Sequence, residues 1–219
     1  TQSVIKRKGG STGALVTIGS AAATNFMTMN ITSMGFDGVT NTAGNYVVEM
    51  YDVIRSAFTD CHFINGDYGV FLNGGISVLF ENCVFELNNR GANCDSFTSM
   101  ANGGYPNLIT FRNCGIYNNS VRGIFFDNGQ EIVLDTCDIE GNGTVSVATD
   151  GGVRIGTGIG SAASLPDSIG LIARNCWFES NAGAGSIECL SGRNNIDNCY
   201  FIANPNTTND IYLDTCNYI

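Results

Sequence analysis

The sequence has few charged residues and few prolines, and it has almost no histidine or tryptophan. Charged residues make up 14 % of the 219 residues, and there are 3 prolines, 1 histidine and 1 tryptophan. This low charge, combined with 43 % hydrophobic residues, excludes an intrinsically disordered chain. A single histidine and the absence of any Cys-x-x-Cys pair disfavour a zinc site, so no metal or other cofactor is predicted. His62 is interpreted as a surface residue.

The sequence also lacks an excess of positive charge and any long apolar run. Its net charge is −10 and it has no basic stripe, so nucleic acid is not an expected partner. No apolar segment has the length that a bilayer requires, and the N-terminal segment does not resemble a signal peptide. The chain begins and ends abruptly, so we expect one domain over residues 1–219 that is a fragment of a longer protein.

Glycine and a repeated cysteine motif are abundant instead. The 28 glycines, together with many asparagines, indicate tight turns between strands. Six copies of one motif align, each with cysteine at its fourth position: Phe58–Phe63, Phe80–Phe85, Phe111–Ile116, Leu134–Ile139, Ala173–Phe178 and Ile196–Phe201. A weaker copy surrounds Met34–Phe36. The six cysteines lie 22, 31, 23, 39 and 23 residues apart. These spacings indicate a basic period of about 22–23 residues with two insertions, at roughly 97–107 and 157–168.

Each repeat contains three short strands with alternating apolar and polar residues. In the second copy the strands are predicted at 77–80, 83–86 and 92–95. One repeat cannot bury its apolar side chains alone, so successive repeats must stack. The prediction is an all-β fold, a right-handed single-stranded parallel β-helix with three parallel sheets and about seven coils.

The recurring cysteines are predicted to form one interior column, as small buried hydrophobic residues rather than a metal or redox site. In four of the six copies an asparagine precedes the cysteine at a tight bend, where its side chain can bond to backbone groups. These asparagines are expected to form a ladder: Asn82, Asn113, Asn175 and Asn198.

The pattern Phe-x-Asn-Cys-x-Phe-Glu-x-Asn occurs at 80–88 and, with alanine first, at 173–181. It resembles the pectate-lyase-like β-helix superfamily, and within it most closely the receptor-binding tailspikes of bacteriophages. The resemblance extends over about residues 26–216. It implies a homotrimer, a bacterial surface polysaccharide as the substrate, and a location in the virion tail or outside the cell, with no insertion into a membrane.

Alternation places two outward columns on the strand that follows the longer turn of each repeat. One column is predicted as Val47, Phe71, Asn93, Phe125, Arg154 and Glu188. The other is predicted as Glu49, Asn73, Asp95, Asp127, Gly156 and Leu190. Both insertions follow this strand and are expected to form the walls of a groove. Phe71 and Phe125, predicted to be exposed, would stack on sugar rings, with Asn93 and Arg154 as further substrate-binding residues.

Asp95 and Asp127 are predicted to be a catalytic carboxylate pair, with Glu188 as a third catalytic residue. Coils of a parallel sheet lie ~4.8 Å apart, so the two aspartates would face each other on adjacent coils. Glycoside hydrolysis uses such a pair, with separations of about 5–5.5 Å in retaining enzymes and about 6.5–9.5 Å in inverting ones. The structural alternative is that Asp127 opens an Asn-Gly turn and Asp95 caps a loop.

A second outward column on the cysteine-bearing strand provides an alternative acidic site. It is predicted as Ile64, Glu86, Tyr117, Glu140, Glu179 and Ile202. The neighbouring column contains His62, Asp138, Trp177 and Tyr200. An exposed Trp177 would act as a sugar platform or an interface anchor. The alternative is that the glutamates serve turn geometry or a subunit contact.

Three functions fit this sequence. The first is hydrolysis of a bacterial capsule or O-antigen by paired carboxylates. The second is a lyase acting on uronic acids, for which the available cations are Arg122, Arg154 and Arg193, with calcium as a possible aid. The third is a non-catalytic module that binds glycans or forms a shaft. The two insertions interrupt an otherwise regular repeat, which favours an enzyme.

Overall fold

The computed structural model describes the chain except for residues 1–2, 21–26, 95–105, 127–129, 145–149, 157–169, 184, 191, 203–209, 214–215 and 219. The regular structure of the described residues is entirely β-strand, and no helix among them could cross a membrane. The strands are β1 Ser3–Lys6, β2 Val16–Ile18, β3 Asn30–Thr32, β4 Met34–Asp37, β5 Tyr46–Thr59, β6 His62–Ile64, β7 Tyr68–Glu81, β8 Val84–Glu86, β9 Arg90–Cys94, β10 Asn107–Arg112, β11 Gly115–Tyr117, β12 Arg122–Phe126, β13 Gln130–Asp135, β14 Asp138–Glu140, β15 Gly151–Ile155, β16 Gly170–Arg174, β17 Trp177–Glu179, β18 Ile187–Cys189, β19 Gly192–Asp197, β20 Tyr200–Ile202, β21 Ile211–Leu213 and β22 Cys216–Tyr218.

The strands form three parallel faces. Face 1 is an eight-stranded sheet in the order β1-β4-β6-β8-β11-β14-β17-β20. Face 2 contains β21, β18, β15, β12 and β9, which continue onto the first half of β7. Face 3 contains β10, β13, β16, β19 and β22, which continue from the second half of β7. Each circuit of the chain visits the three faces in turn, which confirms the parallel β-helix.

Faces 2 and 3 belong to one hydrogen-bonded sheet because two long strands continue around the corner between them. β5 and β7 pair in register from Tyr46 opposite Tyr68 to Thr59 opposite Glu81. Both strands bend at residues with positive φ, Arg55 (46°) and Ser77 (59°). The three predicted sheets are therefore present as three faces, although only two separate hydrogen-bonded networks connect them.

The interior is filled by columns of apolar side chains that repeat from coil to coil. On face 2 the six inward residues of three successive coils are all buried: Val70, Leu72, Ala92, Cys94, Ile124 and Phe126. Phenylalanine rings stack between coils, as in Phe63 on Phe85 with centroids 4.9 Å apart and Phe80 on Phe111 at 5.1 Å. Such stacking adds to the free energy gained from burying apolar area.

The cysteine column lies inside, as predicted. Cys61, Cys83, Cys114, Cys137 and Cys176 are buried free thiols, and Cys199 is half-buried. Each sulfur donates to a backbone carbonyl; Cys83 Sγ, for example, lies 3.3 Å from the carbonyl of Phe58. The hydrogen bond with Cys114 and burial both raise the pKa of the Cys137 thiol. Hydrogen bonds with Cys114 and Cys61 lower the pKa of the Cys83 thiol instead. Because they are buried among apolar side chains, these thiols act as small packing groups.

We expect the thiols of this column to react slowly with a disulfide reagent in the native protein. The thiolate is the reactive form, and burial limits the access of the reagent to it. Cys199 should react first among the six, because only its side chain is partly accessible. Thiol titration with and without denaturant measures this difference, and Cys199→Ser should remove one fast-reacting thiol. Rapid reaction of all six thiols without denaturant would contradict the packing described above.

The bends between face 3 and face 1 have positive φ, which asparagine tolerates better than most residues. The φ values are 53° at Asn82, 51° at Asn113, 55° at Asn175 and 48° at Asn198. Asn198 donates to Asn175 over 2.7 Å, and Asn82 donates to Asp60 over 3.2 Å. The predicted ladder at these bends is thus exposed, and in the described residues one hydrogen bond, from Asn198 to Asn175, links two of its asparagines.

A continuous asparagine ladder lies elsewhere, in the interior of the corner between face 1 and face 2. It consists of Asn88, Asn119, Asn142 and Asn181, all fully buried. Each Nδ2 donates to the Oδ1 of the next asparagine, over 3.1, 2.8 and 3.0 Å. Each also donates to a backbone carbonyl of the preceding coil, as Asn119 does to Phe85 over 3.1 Å. The ladder satisfies backbone groups that the turn would otherwise leave buried without partners.

A column of glycines makes room beside this ladder. A Cβ atom on Gly123 would lie 2.7 Å from the carbonyl oxygen of Gly152 and 2.8 Å from Cγ2 of Ile116. Gly91 and Gly152 are equally crowded by carbonyl oxygens of the next coil, at 2.5 Å each. The close approach of neighbouring coils at this corner therefore requires glycine.

Candidate functional site

The outward surface of face 2 holds the residues that the repeat predicts as a substrate site. Phe71 is the partner of Asn93, Asn93 of Phe125, and Phe125 of Arg154. Arg154 in turn is the partner of Glu188. The predicted column is therefore confirmed from Phe71 to Glu188, with one residue on each of five successive coils.

The first member of each predicted column is wrong. Val47 is 0 % exposed and lies in the core, whereas Glu49 is the partner of Phe71 and Tyr51 is the partner of Asn73. The reason lies in the corner at the start of β5. Val47 packs there against Gly66, so Val47 and Val48 are both buried and each column begins two residues later than predicted.

Aromatic rings cluster at the first coils of this surface. Phe71 stacks on Tyr46 and Tyr68, with ring centroids 4.9 and 5.2 Å apart, and the two tyrosines stack on each other at 5.0 Å. The prediction that Phe71 is exposed is wrong, since it is only 8 % exposed. Its outward position is correct, but neighbouring rings cover it.

Phe125 lies between two guanidinium groups. The Arg90 guanidinium is 5.5 Å from the Phe125 centroid and that of Arg154 is 5.8 Å away. Arg90 also lies 5.2 Å from the Tyr68 ring and donates to the Tyr68 hydroxyl over 2.6 Å. Cation–π contacts of this kind fix the orientation of both partners. Phe125 is half-buried, so part of its ring remains available at the surface.

Glu188 is the centre of a buried charge cluster. Its Oε2 accepts a hydrogen bond from Arg122 over 2.9 Å and lies 3.5 Å from Nε of Arg154. Burial lowers the pKa of Arg122 to about 10, although Glu188 opposes the shift. Because two guanidiniums contact one carboxylate oxygen, Glu188 is suited to holding the arginines in place and poorly suited to donating a proton.

Asn93 has an unusual environment for an outward residue. It is 0 % exposed, and among the described residues neither its Nδ2 nor its Oδ1 has a hydrogen-bond partner. The same holds for Nη1 of Arg122. A buried polar group without a hydrogen-bond partner costs about 1–3 kcal/mol. The stacking of the coils does not require a polar residue at this position.

The predicted carboxylate pair, Asp95 and Asp127, lies outside the described residues. The residues before them, Cys94 and Phe126, are partners on adjacent coils. The insertions also lie largely outside the described residues, but the strands on either side of each insertion show where it leaves the helix. The first lies between β9 and β10 and the second between β15 and β16, so both follow face 2 as predicted.

The alternative acidic site on face 1 has the predicted register. Glu86 is the partner of Tyr117, Tyr117 of Glu140, and Glu140 of Glu179. The neighbouring column pairs Asp138 with Trp177 and Trp177 with Tyr200. Trp177 is 39 % exposed, as predicted.

Hydrogen bonds occupy several of these carboxylates. His62 Nε2 lies 2.9 Å from Glu86 Oε1, and the Trp177 indole donates to Glu179 over 2.9 Å. Tyr117 donates to Asp138 over 3.1 Å, and burial together with that carboxylate raises the pKa of Tyr117 to about 12. Within the described part of the chain, no group of three or more His, Cys, Asp or Glu side chains is arranged to hold a metal ion.

The sequence reasoning missed Tyr46, Tyr68 and Arg90, which contribute to the face 2 surface. A sequence signal for the last two exists. Tyr68, Arg90 and Arg122 each precede a glycine of the crowded corner column, at equivalent places in successive repeats.

Of the cations considered for a lyase, Arg122 and Arg154 meet at Glu188, whereas Arg193 lies on β19 of face 3.

Comparison with known proteins supports the fold. Residues 46–219 match a family described as "Right handed beta helix region". Neither the curated proteins nor the solved structures include a match to the chain. The family match extends over all three faces, including every residue of the face 2 column from Glu49 to Glu188.

Proposed function

Because the chain belongs to the right-handed β-helix family, we propose that it is a tailspike-like polysaccharide depolymerase that hydrolyses glycosidic bonds on face 2. The proposed substrate is a bacterial capsule or O-antigen. β-Helix proteins include polysaccharide-active enzymes, but the fold alone does not determine the chemistry. The trimer and the virion location that the resemblance implies stay predictions.

The supporting observation is the outward column of face 2, in which the residue type changes at every coil. Interior columns keep an apolar residue at every coil, because the fold needs similar packing at each coil. The outward column instead contains Phe71, Asn93, Phe125, Arg154 and Glu188 in succession. Within this row Phe125 and Arg154 are partly exposed, so a stacking ring and a guanidinium are available to bind a sugar chain. The other three side chains are buried and support them from below.

In the proposed mechanism Asp95 and Asp127 act as the acid and the base or nucleophile. Two carboxylates on neighbouring coils repel each other, which raises the pKa of one and separates their roles. Phe125 provides a ring for stacking, while Glu188 holds Arg122 and Arg154 in position. This division leaves Glu188 with a supporting role rather than the catalytic one predicted from the sequence.

The test is mass spectrometry of bacterial surface polysaccharides after incubation with the protein. Hydrolysis adds one water per cleaved bond. Asp95→Asn or Asp127→Asn should lower the rate about 10²–10⁴-fold while binding is retained. Asp197→Asn, a matched change at an exposed carboxylate of face 3, should leave cleavage unchanged. Full activity in both Asp95→Asn and Asp127→Asn would show that the carboxylate assignment is wrong.

A non-catalytic glycan-binding module is the second candidate. The pairing of Glu188 with two arginines favours it, because one of the three predicted catalytic carboxylates is already occupied. Bound but intact polymer across the panel would support this function. Products that contain an unsaturated sugar and no added water would indicate a lyase instead, although the separate position of Arg193 disfavours it.

A further inference from the structure

Face 1 carries an exposed aromatic pair that the proposed reaction does not use. Trp177 and Tyr200 are 39 % and 56 % exposed, and their ring centroids are 5.7 Å apart with planes tilted by 31°. Ile202 is exposed beside them. The two rings belong to adjacent strands, β17 and β20, and together form a shelf along the helix axis.

A hydrogen bond restrains the tryptophan of this shelf. The indole nitrogen of Trp177 donates to Oε2 of Glu179 over 2.9 Å, which restrains the larger ring. Tyr117 donates to Asp138, the residue paired with Trp177, over 3.1 Å. A ligand that stacks on the shelf would therefore meet a preorganised surface. The carboxylates of Glu179 and Asp138 beside the shelf thus already accept hydrogen bonds from neutral donors.

The charge of the surface restricts the possible ligand. Asp138, Glu140 and Glu179 surround the rings, and the described residues of face 1 from Gly115 onward include no cation. Lys6 and His62, at the other end of the face, are paired with Asp37 and Glu86. The patch would therefore repel an anionic polymer.

A second copy of the chain is a poor partner for the same surface. A symmetric contact would bring the acidic patch against itself and desolvate carboxylates without a cation to pair with them. Three partly exposed apolar side chains also offer much less area than the ~800 Å² per partner of a stable interface. Hydroxyl groups, in contrast, donate to carboxylates, and the C–H face of a sugar stacks on an aromatic ring.

We propose that Trp177 and Tyr200, with Glu140 and Glu179, form a second, non-catalytic binding site for an uncharged polysaccharide. The rings bind the apolar face of the sugar, and the carboxylates accept its hydroxyl hydrogens. The site lies on a different face from the proposed hydrolase site. It would hold a neutral glycan whether or not face 2 cleaves its own substrate.

The single tryptophan makes this site directly observable. All tryptophan emission of the chain arises from Trp177, because the sequence has no other tryptophan. Titration with dextran, mannan and galactan should produce a saturable change in emission with at least one of them, and polygalacturonate should produce none. Tyr200→Ala should weaken that binding about tenfold. Ile76→Ala, which shortens an exposed apolar side chain on the part of β7 that pairs with β10, is the control and should bind as the unmodified protein does.

Other results would overturn the proposal. These are an unchanged emission with every neutral polymer, a response to polygalacturonate only, and binding abolished by moderate salt. An emission change that depends on protein concentration without glycan, together with a doubled mass, would show that a second copy covers the rings. Affinity electrophoresis in gels that contain the bound polymer gives an independent measurement. The polymer should retard the unmodified protein, and it should retard Trp177→Ala much less. Polysaccharide cleavage, measured separately, does not depend on any of these outcomes.

Discussion

Asn119→Ala is expected to lower the free energy of unfolding by about 3–5 kcal/mol. The Asn119 side chain donates to Phe85 over 3.1 Å and to Asn142 over 2.8 Å. Its Oδ1 accepts from both the backbone and the side chain of Asn88, over 3.2 and 3.1 Å. Alanine would leave several of these groups buried without partners. Urea denaturation followed by circular dichroism measures the change.

The matched control for this prediction is Asn113→Gly. Asn113 is an exposed asparagine at a bend with φ of 51°, a conformation that glycine adopts without strain. This change should alter the free energy of unfolding by less than about 0.5 kcal/mol. Equal effects of the two variants would show that the buried ladder is not a special source of stability.

Glu188→Gln is expected to destabilise the protein by about 3–5 kcal/mol, because it removes the carboxylate that is hydrogen-bonded to the buried Arg122 guanidinium. Glu188 is only 9 % exposed, and Arg122 next to it is buried as well. Thermal and urea unfolding measure the effect. If the loss arises from an unpaired charge, the double variant Arg122→Met with Glu188→Met should be more stable than Glu188→Gln.

An exposed ion pair on face 3 provides the comparison. Glu81 and Arg112 lie 3.4 Å apart, and both side chains are substantially exposed. Glu81→Gln should therefore cost no more than about 1 kcal/mol. A cost for Glu188→Gln as small as that for Glu81→Gln would mean that the face 2 cluster is solvated in solution.

Much of the fold could be predicted because a β-helix repeats its requirements along the chain. Each inward position must hold an apolar residue at every coil, so the cysteine and phenylalanine columns recur at a nearly constant spacing. The register of face 1 was predicted correctly for the same reason: Glu86, Glu140 and Glu179 follow an aligned motif. The exposure of Trp177 followed from alternation alone.

The predictions that failed lie where alternation breaks. Val47 and Val48 are both apolar, and no local rule shows which of them points inward. The corner against Gly66 buries both, and this moves Glu49 next to Phe71. The exposure of Phe71 could not be predicted either, because rings from Tyr46 and Tyr68 cover it.

The sequence by itself determined the period, the three faces and the identity of the inward columns, because burial acts on each repeat in the same way. Only the tertiary structure decided which polar groups meet. Glu188 and Arg122 are 66 residues apart and meet because stacked coils bring their side chains within 2.9 Å. The asparagine ladder also forms only after stacking, since each amide needs a partner on the next coil. A linear pattern records which residues are buried, whereas hydrogen-bond partners depend on side-chain geometry between coils.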